Sequence, residues 1–79
     1  MGDTPHSLDL TGEICPYTFV RTKLALEELP AGALIAITVD HPPARDSVPK
    51  AAREEGHEVV SVEEAPPGWV ITLRKGSRQ

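Results

Sequence analysis

The chain contains a single cysteine, and the residues around it could give its sulfur unusual reactivity. Cys15 lies in the stretch E-I-C-P-Y-T, directly before Pro16. Proline is favoured at the first position of an α-helix, so a helix that begins at Pro16 would place Cys15 at the N-cap. The N–H groups of Tyr17 and Thr18 would then be available to hydrogen-bond the sulfur, and a helix N-terminus lowers a thiol pKa from about 8.5. This spacing predicts a thiolate or persulfide anion at Cys15.

The alternative interpretation of Cys15 is an inert packing residue. Free cysteine is among the most buried residue types, and a lone cysteine in a small domain more often fills space than performs chemistry. Gly12 and Glu13 favour a surface loop at this point, which argues for exposure. The residues alone leave both interpretations open.

Three cations are candidates for stabilising an anion at the cysteine. Arg21, Lys23 and Arg45 could line its approach, although an ordinary solvated charge is the alternative for each.

A metal site is not expected. The three histidines, at positions 6, 41 and 57, match no zinc-ligand spacing when combined with the cysteine. The sequence also indicates no bound cofactor.

The segment after Cys15 has two apolar faces when it is drawn as a helix. One face is expected to pack against the core and has Ala25 at its side. This face consists of Phe19, Thr22, Leu26 and Leu29. On the far side, Tyr17, Val20 and Leu24 follow the spacing i, i+3 and i+7. Stray apolar residues on a helix edge would explain this stripe, and so would a docking surface beside the cysteine.

The elements that must position these residues follow from hydrophobic periodicity and turn signals. Alternating or continuous apolar runs predict strands over 7–11, 33–40, 57–64 and 69–75, and the last two should form a hairpin across the turn at 65–68. Helices are predicted over 16–29 and 46–55.

The second helix carries a proline that constrains where it starts. Since Pro49 is costly in a helix interior, it is expected in the first turn, after a turn over 41–45 and with Asp46 or Ser47 as the cap. The resulting order, β-α-β-α-β-β, predicts a two-layer α/β sandwich: a four-stranded mixed sheet with both helices on one face. One domain is expected over 7–76, with a flexible terminus over 1–6 and a tail over 77–79.

Composition narrows the function. With 79 residues and a net charge of −4, the chain lacks the basic balance expected of a protein that grips a phosphate backbone. No apolar run approaches the roughly 20 residues needed to cross a bilayer, and no signal peptide is evident. A single cysteine cannot form an internal disulfide, so the cytoplasm is the default expectation. A monomer is the default for the oligomeric state.

Several motifs together resemble the TusA family, also called SirA-like. They are L-D-L-T-G-E-I-C-P, P-A-G-A-L-I-A-I-T-V-D, R-D-S-V-P and W-V-I-T-L-R-K-G, and the resemblance covers residues 8–76. It implies a β-α-β-α-β-β sandwich that carries sulfur as a persulfide on Cys15. The sulfur would come from a cysteine desulfurase or a rhodanese-type donor. It would pass to an acceptor protein in tRNA thiolation, molybdenum-cofactor or sulfur-oxidation chemistry.

One residue departs from the family motif, which is usually Cys-Pro-x-Pro. Thr18 stands at the fourth position and supplies an N–H and a hydroxyl that proline lacks. We therefore expect the thiolate to be at least as well stabilised, whereas partner recognition could differ. The alternative function is a non-catalytic interaction or redox-regulatory module on the same fold.

Overall fold

Over the described part of the chain, four strands and two helices follow one another in the predicted order β-α-β-α-β-β. The computed structural model describes residues 6–14 and 17–76. Its elements are β1 (His6–Asp9), α1 (Tyr17–Glu27), β2 (Leu34–Val39), α2 (Pro42–Glu54), β3 (Glu58–Ala65) and β4 (Gly68–Arg74).

The strands form one mixed sheet in the order β1-β2-β4-β3. β1 pairs with β2 in parallel, whereas β4 is antiparallel to both β2 and β3. The predicted hairpin of β3 and β4 is confirmed, and its turn contains a cis peptide bond between Pro66 and Pro67. Between Val59 and Ser61 the β3–β4 register shifts at a bulge.

One hydrophobic core lies between the sheet and the two helices. Alternate residues of β2 and β4 enter it, as the period-2 pattern predicts. The buried apolar residues of the strands are Ile35, Ile37, Val39, Ile71 and Leu73, and those of the helices are Leu26, Ala44, Val48 and Ala52. Because both helices contribute to the same cluster, they cover the same face of the sheet, which confirms the predicted two-layer fold.

The predicted start of the second helix is wrong. α2 begins at Pro42, so the residues expected to form a turn over 41–45 belong mostly to the helix. The N-cap is His41, neither Asp46 nor Ser47, and prolines fill the first two helical positions, where the missing N–H groups cost nothing.

Pro49 therefore lies inside α2 and not in its first turn. Its ring cannot donate a hydrogen bond to the carbonyl four residues earlier, which is unfavourable in a helix interior. Pro49 is fully enclosed, as are its neighbours Val48 and Ala52, and this apolar burial offsets the lost hydrogen bond.

The described ends of the domain also differ from the prediction. His6, expected in a flexible terminus, opens β1 and pairs with Ile35. The other residues assigned to the terminus and the tail, 1–5 and 77–79, lie outside the described part of the chain. Over residues 6–14 and 17–76, neither helix has the length and apolar character required to cross a membrane.

Candidate functional site

The candidate site lies where the chain passes from β1 to α1. Cys15 and Pro16 lie outside the described residues, so their predicted places at the N-cap and first helical position stay predictions. The chain that leads to them, Leu10–Ile14, is called the approach loop below. It connects β1 to the start of α1.

The approach loop starts from a fixed point in the core. The side chain of Leu10 is completely buried, and its N–H donates to the Thr38 carbonyl oxygen at 2.8 Å. The loop then turns back, because the Glu13 N–H donates to the Leu10 carbonyl oxygen at 3.0 Å. Gly12, in the middle, has a φ of +89°, a conformation that glycine adopts without steric cost.

Two carboxylates accept hydrogen bonds from the middle of the approach loop. Asp9 Oδ1 accepts from the N–H of Thr11 at 3.0 Å and from the Thr11 hydroxyl. These hydrogen bonds favour the ionised form and lower the pKa of Asp9. Asp40, at the end of β2, accepts from the N–H of Gly12 at 2.9 Å.

The first hydrogen bonds of α1 are made to the last residue of the approach loop. The Ile14 carbonyl oxygen accepts from the N–H of Tyr17 at 2.8 Å and from the N–H of Thr18 at 3.3 Å. Both N–H groups expected to serve the sulfur already have this backbone acceptor. Hydrogen bonding from them to Cys15 stays a prediction, and would require sharing these donors.

Thr18, the departure from the family motif, is fully enclosed in the protein. One turn later, the Thr22 hydroxyl donates to the Thr18 carbonyl oxygen at 2.7 Å, and Thr22 is also buried. The core-facing side of α1 therefore begins with two threonines before Leu26. Sequence periodicity identified Thr22 but did not assign Thr18 to this face.

An exposed apolar stripe runs along the opposite side of α1. Tyr17, Val20 and Leu24 are 59%, 44% and 55% exposed, respectively. Ile14, which precedes Cys15 in the sequence, is 55% exposed in the approach loop. These four residues are called the apolar strip below. The sequence prediction missed Ile14, although an apolar side chain in a polar loop next to the cysteine was the available signal.

The three candidate cations have different surroundings. Arg21 Nη1 lies 3.3 Å from Glu13 Oε2, linking α1 to the approach loop across exposed side chains. Arg45 Nη1 lies 3.2 Å from Asp46 Oδ1, its neighbour in α2, and Lys23 is exposed. Exposed ion pairs add little stability, so both arginines can exchange partners at low cost. Their role toward an anionic sulfur stays a prediction.

The histidines occupy three separate places: β1, the N-cap of α2 and the start of β3. Over residues 6–14 and 17–76, no group of three potential metal ligands comes together.

At the C-terminal end of α1 lies a shallow cleft of about 430 Å³, lined among others by Gly32, His57, Glu58 and Arg74. The charged side chains here already have partners. Arg74 Nε donates to Glu58 Oε1 at 3.1 Å. His57 Nδ1 accepts from the N–H of Gly76 at 3.0 Å. Partial burial, with the nearby charge of Lys75, lowers the pKa of His57.

Comparison with known proteins assigns the fold and the approach loop to one family. The profile of the family described as "Sulfurtransferase TusA" matches residues 6–75, and the chain belongs to this family. A crystal structure of the SirA-like protein from Desulfitobacterium hafniense has the same fold. Its TM-score is 0.76 at 30% identity, over 90% of this chain and 97% of the other.

Curated relatives agree with this assignment. A protein of Archaeoglobus fulgidus named "Putative sulfur carrier protein" is 46% identical over 69 residues, which cover 86% of this chain and 78% of the relative. A Thermotoga maritima protein with the same name is 35% identical over 86% of this chain and 87% of its own length. An Escherichia coli protein named "Putative sulfur carrier protein TsuB" is 32% identical over 86% of this chain and 92% of its own length.

Proposed function

We propose that this protein carries sulfur as a persulfide on Cys15. The observation that supports this most directly is the apolar strip, which is exposed on α1 and extends to the residue before the only cysteine. A sulfur carrier must bring its own sulfur against that of a partner, and exposed apolar residues are the usual means of docking a protein surface. Membership in the TusA family makes sulfur the natural cargo.

The proposed transfer is a thiol exchange without net oxidation or reduction. The Cys15 thiolate attacks the outer sulfur of a donor persulfide, R–S–SH. A new S–S bond forms to Cys15 while the donor's S–S bond breaks. The donor then leaves as a thiolate and takes up the proton that the Cys15 thiol released. Delivery repeats the exchange, with an acceptor thiol attacking the outer sulfur on Cys15.

The absence of a second cysteine determines how sulfur must leave. No internal thiol can displace the sulfur by forming a disulfide with Cys15, so release requires a partner. The protein is therefore a sulfurtransferase that does not turn over alone. We propose a cysteine desulfurase or rhodanese-type protein as donor and a protein acceptor in tRNA thiolation, molybdenum-cofactor or sulfur-oxidation chemistry.

The same proposal has consequences for location and assembly. Persulfide transfer by Cys15 requires no bound cofactor and no direct contact with nucleic acid. The expected form is a monomer in the cytoplasm, where a lone thiol stays reduced.

The test is the intact mass of the protein after incubation with a cysteine desulfurase and free cysteine. We expect the wild type to gain one sulfur atom, which a reducing agent removes, and the Cys15→Ala variant to gain none. Equal gain by both proteins would mean that the sulfur is bound at a residue other than Cys15. No gain with several donors, together with slow alkylation of Cys15 at neutral pH, would favour the non-catalytic interaction module.

A further inference from the structure

We propose that Asp40 is a positioning residue for the sulfur-carrying cysteine. It acts through the approach loop: its carboxylate accepts the Gly12 N–H at 2.9 Å, across 28 residues of sequence. The inference rests on the proposed function, because positioning has meaning only if Cys15 transfers sulfur. It assigns to Asp40 a role that its spacing in the sequence does not indicate.

The hydrogen bonds of the approach loop show why this contact matters. Each backbone N–H from Leu10 to Glu13 donates to a defined acceptor. Thr11 and Glu13 donate within the same stretch of chain, to Asp9 and Leu10 respectively. The Thr11 bonds hold the start of the loop to the end of β1, and the Glu13 bond closes the turn, but neither holds Gly12.

Two bonds attach the approach loop to β2. The N–H of Leu10 donates to the Thr38 carbonyl oxygen at 2.8 Å and continues the strand pairing, which fixes the beginning of the loop. Asp40 lies two residues farther along the chain and binds the middle of the loop at Gly12. At the other end, Ile14 is held by α1. Without Asp40, the middle of the approach loop at Gly12 would lose its hydrogen bond to the residue that follows β2.

The position of Asp40 makes it suited to this task. It follows directly on β2, whose last residue Val39 is completely buried, and precedes His41, the N-cap of α2. Its backbone is therefore held on both sides by regular structure, and the residue itself is half-buried. Because its backbone is held in this way, Asp40 can keep Gly12 at a fixed position relative to the sheet.

Geometry and charge make opposite predictions for Asp40. A carboxylate charge does not favour a thiolate or persulfide anion, so Asp40 is not expected to promote transfer through its charge. The hydrogen bond to Gly12 needs only an oxygen acceptor in the right place, which an asparagine side chain also supplies. If Asp40 acts by positioning, the neutral isostere should preserve the function and a displaced carboxylate should not.

Two variants separate these effects. Asp40→Asn keeps the acceptor and removes the charge, whereas Asp40→Glu keeps the charge and moves the acceptor by one methylene. The rate of single-turnover sulfur loading from a cysteine desulfurase is measured by intact mass, under conditions where urea titration shows each variant to be folded. The matched control is Glu54→Gln, which removes the charge of an exposed carboxylate of α2. The pH dependence of Cys15 alkylation is recorded for all of them.

We expect Asp40→Glu to load sulfur at least about tenfold more slowly, because misplacement by about 1 Å can cost up to a hundredfold in rate. Asp40→Asn should stay within about threefold of the wild type, like the control. A changed alkylation profile in Asp40→Glu alone would show that the tether sets the surroundings of the thiol, which a purely structural role would leave unaltered.

Other results overturn the proposal. Normal loading by Asp40→Glu would show that the tether is dispensable, and slow loading by Asp40→Asn would show that the hydrogen-bond geometry is not what counts. These outcomes differ from a failure of the proposed function, in which the wild type itself gains no sulfur.

Discussion

The two ends of α1 are held in different ways. At its C-terminal end, the Lys75 ammonium donates to the carbonyl oxygens of Leu26 and Leu29, the latter at 3.2 Å. The backbone of Lys75 also pairs with residues 32 and 33, and the next residue bonds His57. At the N-terminal end, by contrast, exposed apolar side chains surround a short loop tethered to β2 through Leu10 and Gly12.

This difference separates stability from function along one helix. The C-terminal end joins α1, β3 and β4 through backbone and side-chain hydrogen bonds, so substitutions there should lower the free energy of unfolding. The exposed apolar strip at the N-terminal end contributes little to the core. Substitutions in the apolar strip should therefore weaken partner binding and leave the free energy of unfolding nearly unchanged. The three following predictions test this division.

The largest stability effect is expected for Lys75→Met. Methionine retains an apolar stem but removes the ammonium that donates to the carbonyl oxygens of Leu26 and Leu29. Hydrogen bonds to charged groups contribute about 1.5–3 kcal/mol, so we expect the free energy of unfolding to fall by about 2 kcal/mol in urea titrations. Lys50→Met, on the exposed side of α2, is the control and should change it by less than about 0.5 kcal/mol.

Sulfur loading by folded Lys75→Met should match the wild type. Equal stabilities of Lys75→Met and Lys50→Met would contradict the view that the C-terminal end of α1 is the more firmly fixed one.

An intermediate effect is expected for the double variant Val20→Ser, Leu24→Ser. Both side chains are about half exposed and face away from the core. Losing two apolar contacts in a docked complex should raise the Kd for a sulfur donor at least about tenfold, or about 1.4 kcal/mol, measured by isothermal titration calorimetry. The free energy of unfolding should change by less than about 1 kcal/mol.

The control for the apolar strip is Val60→Ser. Val60 is 44% exposed, as Val20 is, but lies on β3. The Val60→Ser variant should bind the sulfur donor with the same Kd as the wild type. If both variants bound the donor equally well, the apolar strip would not be the docking surface.

The smallest effect concerns pH and the C-terminal end of α1. The folded protein lowers the pKa of His57, and only the neutral ring can accept the Gly76 N–H at Nδ1. The unfolded chain, with an ordinary pKa near 6.5, therefore binds a proton more readily than the folded one. This contribution to stability is complete above about pH 6.5 and is lost as the pH falls below it.

His57→Gln should remove this part of the pH dependence, as seen in urea titrations from neutral pH to about pH 5. An NMR titration of the wild type provides a second measurement. A His57 pKa above the ordinary value would contradict the prediction.

Much of the fold could be predicted because its signals are local. The alternating apolar residues of β2 and β4 identify strands, and the turn between β3 and β4 consists of two prolines that a glycine follows. The start of α2 could not be placed in the same way. Pro42 and Pro49 are both acceptable at a helix start, and only the burial of Pro49 in the folded protein shows which one lies inside.

The candidate site also combines features that have local sequence signals with features that depend on the folded structure. The Cys-Pro pair and the spacing of the apolar strip are visible in the sequence, so Cys15 and its neighbours on α1 could be named in advance. The contact between Asp40 and Gly12 could not, because it depends on how the sheet brings together residues far apart in the chain. Likewise, the burial of Thr18 follows from how α1 is rotated against the core.

The bulge in β3 has a consequence for crowded solutions. β3 is an edge strand, and a flat edge offers a template on which strands of other chains can align and aggregate. The shift between Val59 and Ser61 interrupts the regular spacing of that edge, and Glu63 and Glu64 place negative charge at its far end. The bulge and these charges therefore make the β3 edge a poorer template for strand pairing than a flat, uncharged edge would be.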